Sequence, residues 1–199
     1  MVLAIISIVM GVIFTNQNSF NKTLVLSNTA YDIALSLQST EMLGVGGRGN
    51  AGYGVHFVNG NPTKSFSIFG DISSAVPLPA PCHSKDIPLS PNMHTGDCAY
   101  SESDTVTATY AIGNGFLIQD ICASDSSGNS FCFSKGNLPS LDIVFSRPNP
   151  APSMSINGVY NPSLSNACLK LISAQGGTDR YITVSIAGSI NANATPCTP

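Results

Sequence analysis

The sequence predicts an α+β fold in which one long N-terminal α-helix packs on an antiparallel β-sheet. Three observations predict it: an apolar run at the start of the chain, a helical spacing of apolar residues after it, and short strand-like segments between Gly- and Pro-rich turns. The chain has 199 residues, which is enough for one domain with its own core. We find no internal repeat in it.

The helix is predicted from about Val2 to about Thr40, ahead of the glycines at 44, 46 and 47. Residues 1–14, MVLAIISIVMGVIF, carry no charge. Four apolar residues then recur at spacings of 4, 3 and 4, which places them on one helix face: Leu26, Ala30, Ile33 and Leu37. A second set is expected to widen this stripe: Phe20, Leu24, Tyr31 and Leu35.

The apolar run of residues 1–14 has three interpretations: a signal-peptide core, a buried helix, or a membrane anchor whose beginning is missing. A signal peptide needs a basic segment before the run and a small-residue cleavage site after it. Nothing precedes the run here, Thr15-Asn16 follows it, and the nearest lysine is Lys22. A membrane anchor is therefore favoured over a signal peptide.

The rest of the chain, residues 41–199, is predicted to form a β-rich head. Residues 41–54 contain six glycines and indicate a flexible crossover, and Thr105–Tyr110 alternates as a half-buried strand should. Further strands are expected at residues 54–58, 65–69, 116–122, 130–133, 141–145, 153–156 and 181–186. Five aromatic residues are expected to fill the core between sheet and helix: Phe57, Phe66, Phe69, Phe116 and Phe145.

Charge argues against nucleic-acid binding, because phosphate contacts need a basic patch. Only 10% of the residues are charged, the net charge is −3, and the eight Lys and Arg residues form no run. No nucleophile motif and no phosphate-binding loop is found. Asp71 and Asp142 could form a carboxylate pair, but an Asp at a strand end is more often a turn or capping residue. We therefore expect no catalytic residue, no cofactor and no nucleic-acid partner.

The six cysteines favour disulfides and an oxidising compartment. Local spacing suggests three pairs, although six cysteines allow 15 pairings: Cys82–Cys98, Cys122–Cys132 and Cys168–Cys197. One group is ligand-like in composition: Cys82, His83, His94, Asp97 and Cys98. Zinc motifs usually have tighter paired spacing, so we expect a disulfide here and no metal.

The N-terminal residues Val2-Leu3-Ala4-Ile5-Ile6-Ser7-Ile8 resemble the helix start of type IV pilins and type II secretion pseudopilins. The resemblance implies a helix that anchors the subunit in the bacterial inner membrane and then packs in a filament core. It assigns that role to Val2, Leu3, Ala4, Ile5, Ile6, Ile8, Val9, Val12, Ile13 and Phe14. The family's leader Gly, methylated Phe and early Glu are absent, and Glu41 lies too late to replace that Glu. We expect the natural chain to begin upstream of Met1.

The head resembles that of the H-type (GspH/FimT-like) minor pseudopilins in four segments. These are residues 52–57, 66–71, 141–145 and 180–190, although Ser189 stands where an Arg is usual. The resemblance implies a structural subunit of a type IV pilus or a type II secretion pseudopilus. Its expected partners are other pilin or pseudopilin subunits, the inner-membrane assembly platform and membrane lipid.

Two other functions remain open at this point. One is a membrane-tethered binding or adhesion domain, which would need an exposed aromatic cluster, and the chain has no Trp. The other is a secreted, disulfide-stabilised domain with a mature N-terminus near Asn16.

Overall fold

Helix α1 covers Val2–Gly46, 45 residues in all, and continues past the predicted end at Thr40. The computed structural model describes residues 2–46, 52–60, 62–72, 96–113, 115–147, 151–174, 178–193 and 195–196. The prediction that the helix stops before Gly44 was wrong for a packing reason. A Cβ added at Gly44 would lie 2.2 Å from the backbone oxygen of Phe145, so glycine lets the last helical turn approach the backbone of the head.

Eleven strands follow α1 in the described part of the chain, and their pairings there are antiparallel. They are β1 (Gly52–Val58), β2 (Ser65–Asp71), β3 (Thr105–Ala111), β4 (Phe116–Asp125), β5 (Ser130–Cys132), β6 (Ser140–Phe145), β7 (Ser153–Ile156), β8 (Val159–Tyr160), β9 (Leu164–Ser173), β10 (Arg180–Ser185) and β11 (Ile190–Asn193).

The strands form two sheets, whereas one sheet was predicted. The six-stranded sheet has the order β3-β2-β1-β6-β7-β8, and the five-stranded sheet has the order β11-β10-β9-β4-β5. Strands β8, β9 and β11 were missed by the sequence analysis. The omission of β9 matters most, because it is the middle strand of the five-stranded sheet and pairs with both β4 and β10.

Helix α1 and the inner faces of both sheets share one hydrophobic core. The α1 residues Leu26, Ala30, Ile33 and Leu37 are buried, as predicted. Each sheet contributes alternate side chains to the same core, as a strand with one covered face should: Val55, Phe57, Leu141, Ile143 and Phe145 from the six-stranded sheet, and Ile121, Leu169, Leu171, Ile182 and Val184 from the five-stranded sheet. The α+β class is therefore confirmed, with the helix packed on two sheets.

Phe69 is the exception among the five predicted core aromatics. Phe57, Phe66, Phe116 and Phe145 belong to the shared core, but Phe69 lies on the opposite face of the six-stranded sheet. There it forms a second small cluster with Cys98 and Val144. The ladder explains the difference, since Phe69 pairs with Gly54 whereas Ile68 pairs with Val55, and neighbouring residues of a strand point to opposite faces.

The strand β3 lies at the edge of the six-stranded sheet. Every residue of β3 is exposed except Tyr110, which is half-buried. The prediction of a half-buried strand was therefore wrong, because alternation in sequence does not guarantee that a second layer covers the strand. Tyr110 packs against the sheet, where its ring stacks on the ring of Phe66 with centroids 4.9 Å apart.

We expect Gly44→Ala to destabilise the fold, because the new methyl group would meet the Phe145 carbonyl, which is backbone and cannot turn away. The expected loss is about 1–3 kcal/mol of unfolding free energy, measured by chemical denaturation. Gly46→Ala is the matched control, since a Cβ there meets nothing within 4 Å. Equal stability of the two variants would contradict the close approach of α1 to β6.

Candidate assembly surface

Helix α1 carries a second apolar stripe on the side that faces solvent. Its members are exposed by 46%, 57%, 59% and 75%, in the order Leu24, Tyr31, Leu35 and Met42. Their spacings of 7, 4 and 7 keep all four on one helix face. We call these four residues the outer stripe.

The outer stripe lies opposite the buried face of α1. Tyr31 precedes the buried Ile33 by two positions, and Leu35 precedes the buried Leu37 in the same way. Two positions correspond to about 200° around a helix with 3.6 residues per turn. The expectation that Phe20, Leu24, Tyr31 and Leu35 widen the core stripe was therefore wrong for the last three, and the side chain of Phe20 lies outside the described residues. Among the described residues of α1, the helix has two apolar faces, and the head covers one of them.

The same face continues towards the N-terminus. Ile6 and Met10 are exposed by 50% and 53%, and Ile6 precedes Leu24 by five helical turns, as 18 residues at 3.6 per turn. The other predicted anchor residues have a helical backbone, but their side chains lie outside the described residues: Val2, Leu3, Ala4, Ile5, Ile8, Val9, Val12, Ile13 and Phe14. Within the described residues, no helix combines the length and the apolar character needed to cross a bilayer.

A polar contact between α1 and the head helps to fix the rotation of the helix, and therefore the direction of the outer stripe. The Arg180 Nε donates to the Ser27 Oγ at 2.8 Å. The hydroxyls of Thr29 and Thr40 are satisfied within the helix, by the carbonyls of Val25 and Ser36. Arg180 was singled out in the sequence only within a family-like segment, and its contact with the helix had no sequence signal.

No protein-family model and no curated protein matches the chain. Among solved structures, the chain is similar to the crystal structure of the type IV minor pilin FimU from Pseudomonas aeruginosa strain PAO1. The TM-score is 0.43 and the sequence identity is 14%, over 83% of this chain and 90% of that chain.

A second feature lies on the opposite face of the six-stranded sheet, where buried carboxylates hold residues 96–104. The Asp71 Oδ1 and Oδ2 accept N–H groups from Asp97 at 3.1 Å and from Cys98 at 2.9 Å. The Asp142 Oδ2 accepts the Tyr100 N–H at 3.1 Å. Asp104 accepts the N–H groups of Ile72 and Ser101 at 3.0 and 2.8 Å. We call residues 96–104 the clamped segment.

Aromatic and glycine packing completes the clamp. The His56 Nδ1 lies 2.5 Å from the Asp142 Oδ1, and the His56 ring stacks on Tyr100 with centroids 4.1 Å apart. A Cβ added at Gly96 would lie within 2.1 Å of the Asp71 carboxyl atoms, so only glycine fits there. Asp71 and Asp142, considered as a carboxylate pair from the sequence, instead each bind backbone N–H groups of the clamped segment.

Asp71, Asp97 and Asp104 come close enough together for one ion to reach all three. Their oxygens, however, already accept backbone N–H groups of Asp97, Cys98, Ala99, Ser101 and Ile72. Burial raises the pKa of Asp71 to about 8, and the nearby charges of Asp104 and Asp97 add to the rise. A protonated Asp71 removes one negative charge from the cluster, and we assign no metal to it.

The cysteines agree with the disulfide prediction as far as they are described. Cys122 and Cys132 form a disulfide across β4 and β5, as predicted. Cys98 and Cys168 are also disulfide-bonded. Their predicted partners Cys82 and Cys197 lie outside the described residues, as do His83 and His94 of the ligand-like group. Those two pairings stay predictions.

The outer face of the five-stranded sheet forms an open groove of about 640 Å³. Half of its described lining residues are Ser, Thr or Asn, and Tyr181 is the one aromatic residue among them. The Tyr181 hydroxyl donates to Asp179, which also pairs with Lys170 at 3.0 Å. A binding or adhesion domain would need an exposed aromatic cluster. The described residues that line this groove do not form one.

We expect stability to fall as the pH rises from 5 to 8, because of Asp71. Its pKa is raised in the folded state, so the folded protein holds a proton that the unfolded chain has released above about pH 4. The stabilisation is complete below that pH and is lost as the pH approaches the folded pKa. We expect a loss of roughly 2–4 kcal/mol, measured by urea denaturation at several pH values.

Asp71→Asn should flatten this pH dependence, because the variant has no proton to release at position 71. Asp125→Asn is the control: Asp125 is exposed, and hydrogen bonds from Asn129 hold its pKa below the usual value, so it does not titrate between pH 5 and 8. An equally steep decline in the Asp71→Asn variant would show that another group causes it.

Proposed function

We propose that this chain is a structural subunit of a filament of the type IV pilus or type II secretion pseudopilus class, and that it assembles through α1. The observation that carries the proposal is the outer stripe. A large contiguous apolar patch on a solvent-exposed surface marks an interaction site. The outer stripe is such a patch, formed by Leu24, Tyr31, Leu35 and Met42.

The geometry of the outer stripe suits a partner helix better than a small ligand. Its spacing follows one side of a straight helix, which is the pattern that packs against a second helix. Burial of each exposed side chain contributes on the order of 1 kcal/mol, which is offset in part by the loss of motional freedom on association. Several helices packed together would therefore bind more strongly than one pair.

The proposed mechanism is association without bond chemistry. Before assembly, the apolar residues 2–14 hold the subunit in the bacterial inner membrane, with the head outside the cytoplasm. During assembly, α1 leaves lipid and packs against α1 of other subunits, while the head stays on the outside of the filament. The inner-membrane assembly platform is the proposed partner for this transfer. The resemblance of residues 2–8 to pilins and pseudopilins supports this part of the proposal.

The proposal assigns no catalytic role to the chain. The carboxylates of Asp71 and Asp142, which lie against the clamped segment, are engaged by its backbone N–H groups. The resemblance of the head to the H-type family favours a minor subunit over the main building block.

We expect Leu35→Asp to reduce assembly by about tenfold or more, since a carboxylate in a helix interface costs well over 1.4 kcal/mol. The full chain is produced in cells that make the filament, and its amount in sheared filaments is compared with that in membranes. Asn166→Asp is the control, because Asn166 is exposed on the outer face of the five-stranded sheet, away from α1, and the change adds the same carboxylate.

Both variants should keep the thermal midpoint of the unaltered protein, since neither residue is buried. Tyr31→Ser provides a second stripe variant without a new charge. Normal assembly of folded Leu35→Asp and Tyr31→Ser proteins would refute the role of the outer stripe.

We also expect the native protein to be recovered with membranes and sheared filaments, and we expect mass spectrometry of its N-terminal peptide to show that the apolar residues 2–14 are retained. The samples are the membrane fraction and sheared filaments. A mature N-terminus near Asn16, with the protein recovered in solution, would contradict the filament function and favour a secreted domain.

A further inference from the structure

Strand β3 is an uncharged edge with exposed side chains on both of its faces. Its sequence, TVTATYA, contains no Lys, Asp, Glu or Pro. Natural edge strands usually carry such residues because they discourage pairing with another chain. Val106 alone among its large apolar side chains is strongly exposed, by 44%. The edge therefore offers mainly backbone groups to a partner.

The ladder shows which backbone groups of β3 point away from the sheet. The Ile112 N–H donates to the Lys64 carbonyl at 2.8 Å, next to the pair Ser65 and Ala111. In an antiparallel ladder, successive residues bond alternately to one side and to the other. Tyr110 therefore bonds towards β2, whereas Thr109 and Ala111 direct their N–H and C=O groups outward.

Thr109 and Ala111 form a short outward row that remains regular. The irregularity in the pairing of β3 lies at Thr107, between the pairs of Ile68 and Phe69, where the Thr107 hydroxyl donates to the Ile68 carbonyl at 3.1 Å. Within the described residues, no backbone or side-chain partner is found for the outward groups of Thr109 and Ala111.

The other sheet edges are poor partners for β3. Among the described strands, the other three edges are β8 with two residues, β5 with three and β11 with four, whereas β3 has seven. A ladder gains one set of hydrogen bonds per pair of residues, so length decides its strength. In a contact between copies, the edge that best matches β3 is therefore β3 of the second copy.

We infer that two copies of this chain associate by pairing β3 with β3 in antiparallel orientation, about a two-fold axis. The pairing joins two six-stranded sheets into one continuous sheet. Because the strand is uncharged, it brings no like charges together across the axis. Both faces of the new ladder remain exposed to solvent, so the pairing buries little apolar surface and the association is weak. A high local concentration of subunits, on a surface or in a filament, favours it.

This contact is independent of α1 and goes beyond the proposed function. A two-fold contact closes after two copies, whereas a filament needs a contact that repeats. The β3 pair therefore links subunits side by side, between filaments or between unassembled copies, and adds nothing to growth along a filament. If the α1 variants assembled normally and so refuted the proposed function, the β3 contact would still stand. Absence of the β3 contact would likewise leave the proposed assembly through α1 unaffected.

The test measures amide hydrogen exchange by NMR at increasing concentrations of the full chain, kept in mild detergent because of the apolar residues 2–14. Exchange at Thr109 and Ala111 should slow at least threefold as the protein concentration rises, because their N–H groups become bonded in the pair. Exchange at Tyr110 and Ile112 should be slow throughout. Sedimentation should show dimers over the same concentration range.

Two variants make the test specific. Thr109→Pro removes an outward N–H and leaves the bonds to β2, and edge strands tolerate proline in that position; it should abolish the dimer. Thr109→Val keeps the N–H and the strand preference, and should dimerise like the unaltered protein. Ala111→Lys places like charges across the pair without touching the backbone, and replaces Thr109→Pro if that variant unfolds.

The inference is overturned if Thr109 and Ala111 exchange at the same rate at every concentration, or if association survives both Thr109→Pro and Ala111→Lys. Dimers that are lost in Leu35→Asp but kept in Thr109→Pro would assign the contact to α1 instead. That result would reject β3 pairing and would support the proposed assembly function.

Discussion

The burial of one face of α1 between the two sheets is the contact on which the rest of this structure depends. Leu26, Ile33 and Leu37 fill the space between two inner sheet faces that would otherwise meet poorly. Because the core fixes this face and Arg180 binds Ser27 beside it, the rotation of the helix is fixed as well. The outer stripe then has one direction in which it can point, away from the head.

Two different kinds of contact close the two faces of the six-stranded sheet. The inner face is covered by apolar packing, whereas the other face is covered by the clamped segment, which is held through carboxylates. Buried backbone N–H groups need a hydrogen-bond acceptor, and an irregular segment has no neighbouring strand to supply a carbonyl. The carboxylates of Asp71 and Asp142 accept these N–H groups instead. The clamp also holds Cys98 with a positive φ of 62°, a backbone conformation that is costly outside glycine.

Sequence periodicity predicted the long helix, its buried face and most strands, because these patterns are local. It could not separate the two apolar faces of α1, since Leu24 and Leu26 are equally apolar and only the position of the sheets distinguishes them. It missed β9, although Leu169 and Leu171 alternate with Lys170 there. The clamp depends on contacts between residues as far apart as Asp71 and Cys98, or His56 and Asp142, and no local pattern reports them.

The cysteines of the five-stranded sheet have a consequence for how the chain acquires its bonds. Cys122 lies directly opposite Cys132 on one neighbouring strand and opposite Cys168 on the other. Proximity in the finished sheet therefore does not decide which thiol Cys122 oxidises with. The hairpin of β4 and β5 closes a separation of only 10 residues, so joining Cys122 to Cys132 costs less loop-closure entropy than joining Cys122 to Cys168. Oxidation during synthesis favours the native bond, whereas oxidation of a fully formed, reduced head offers Cys122 two partners.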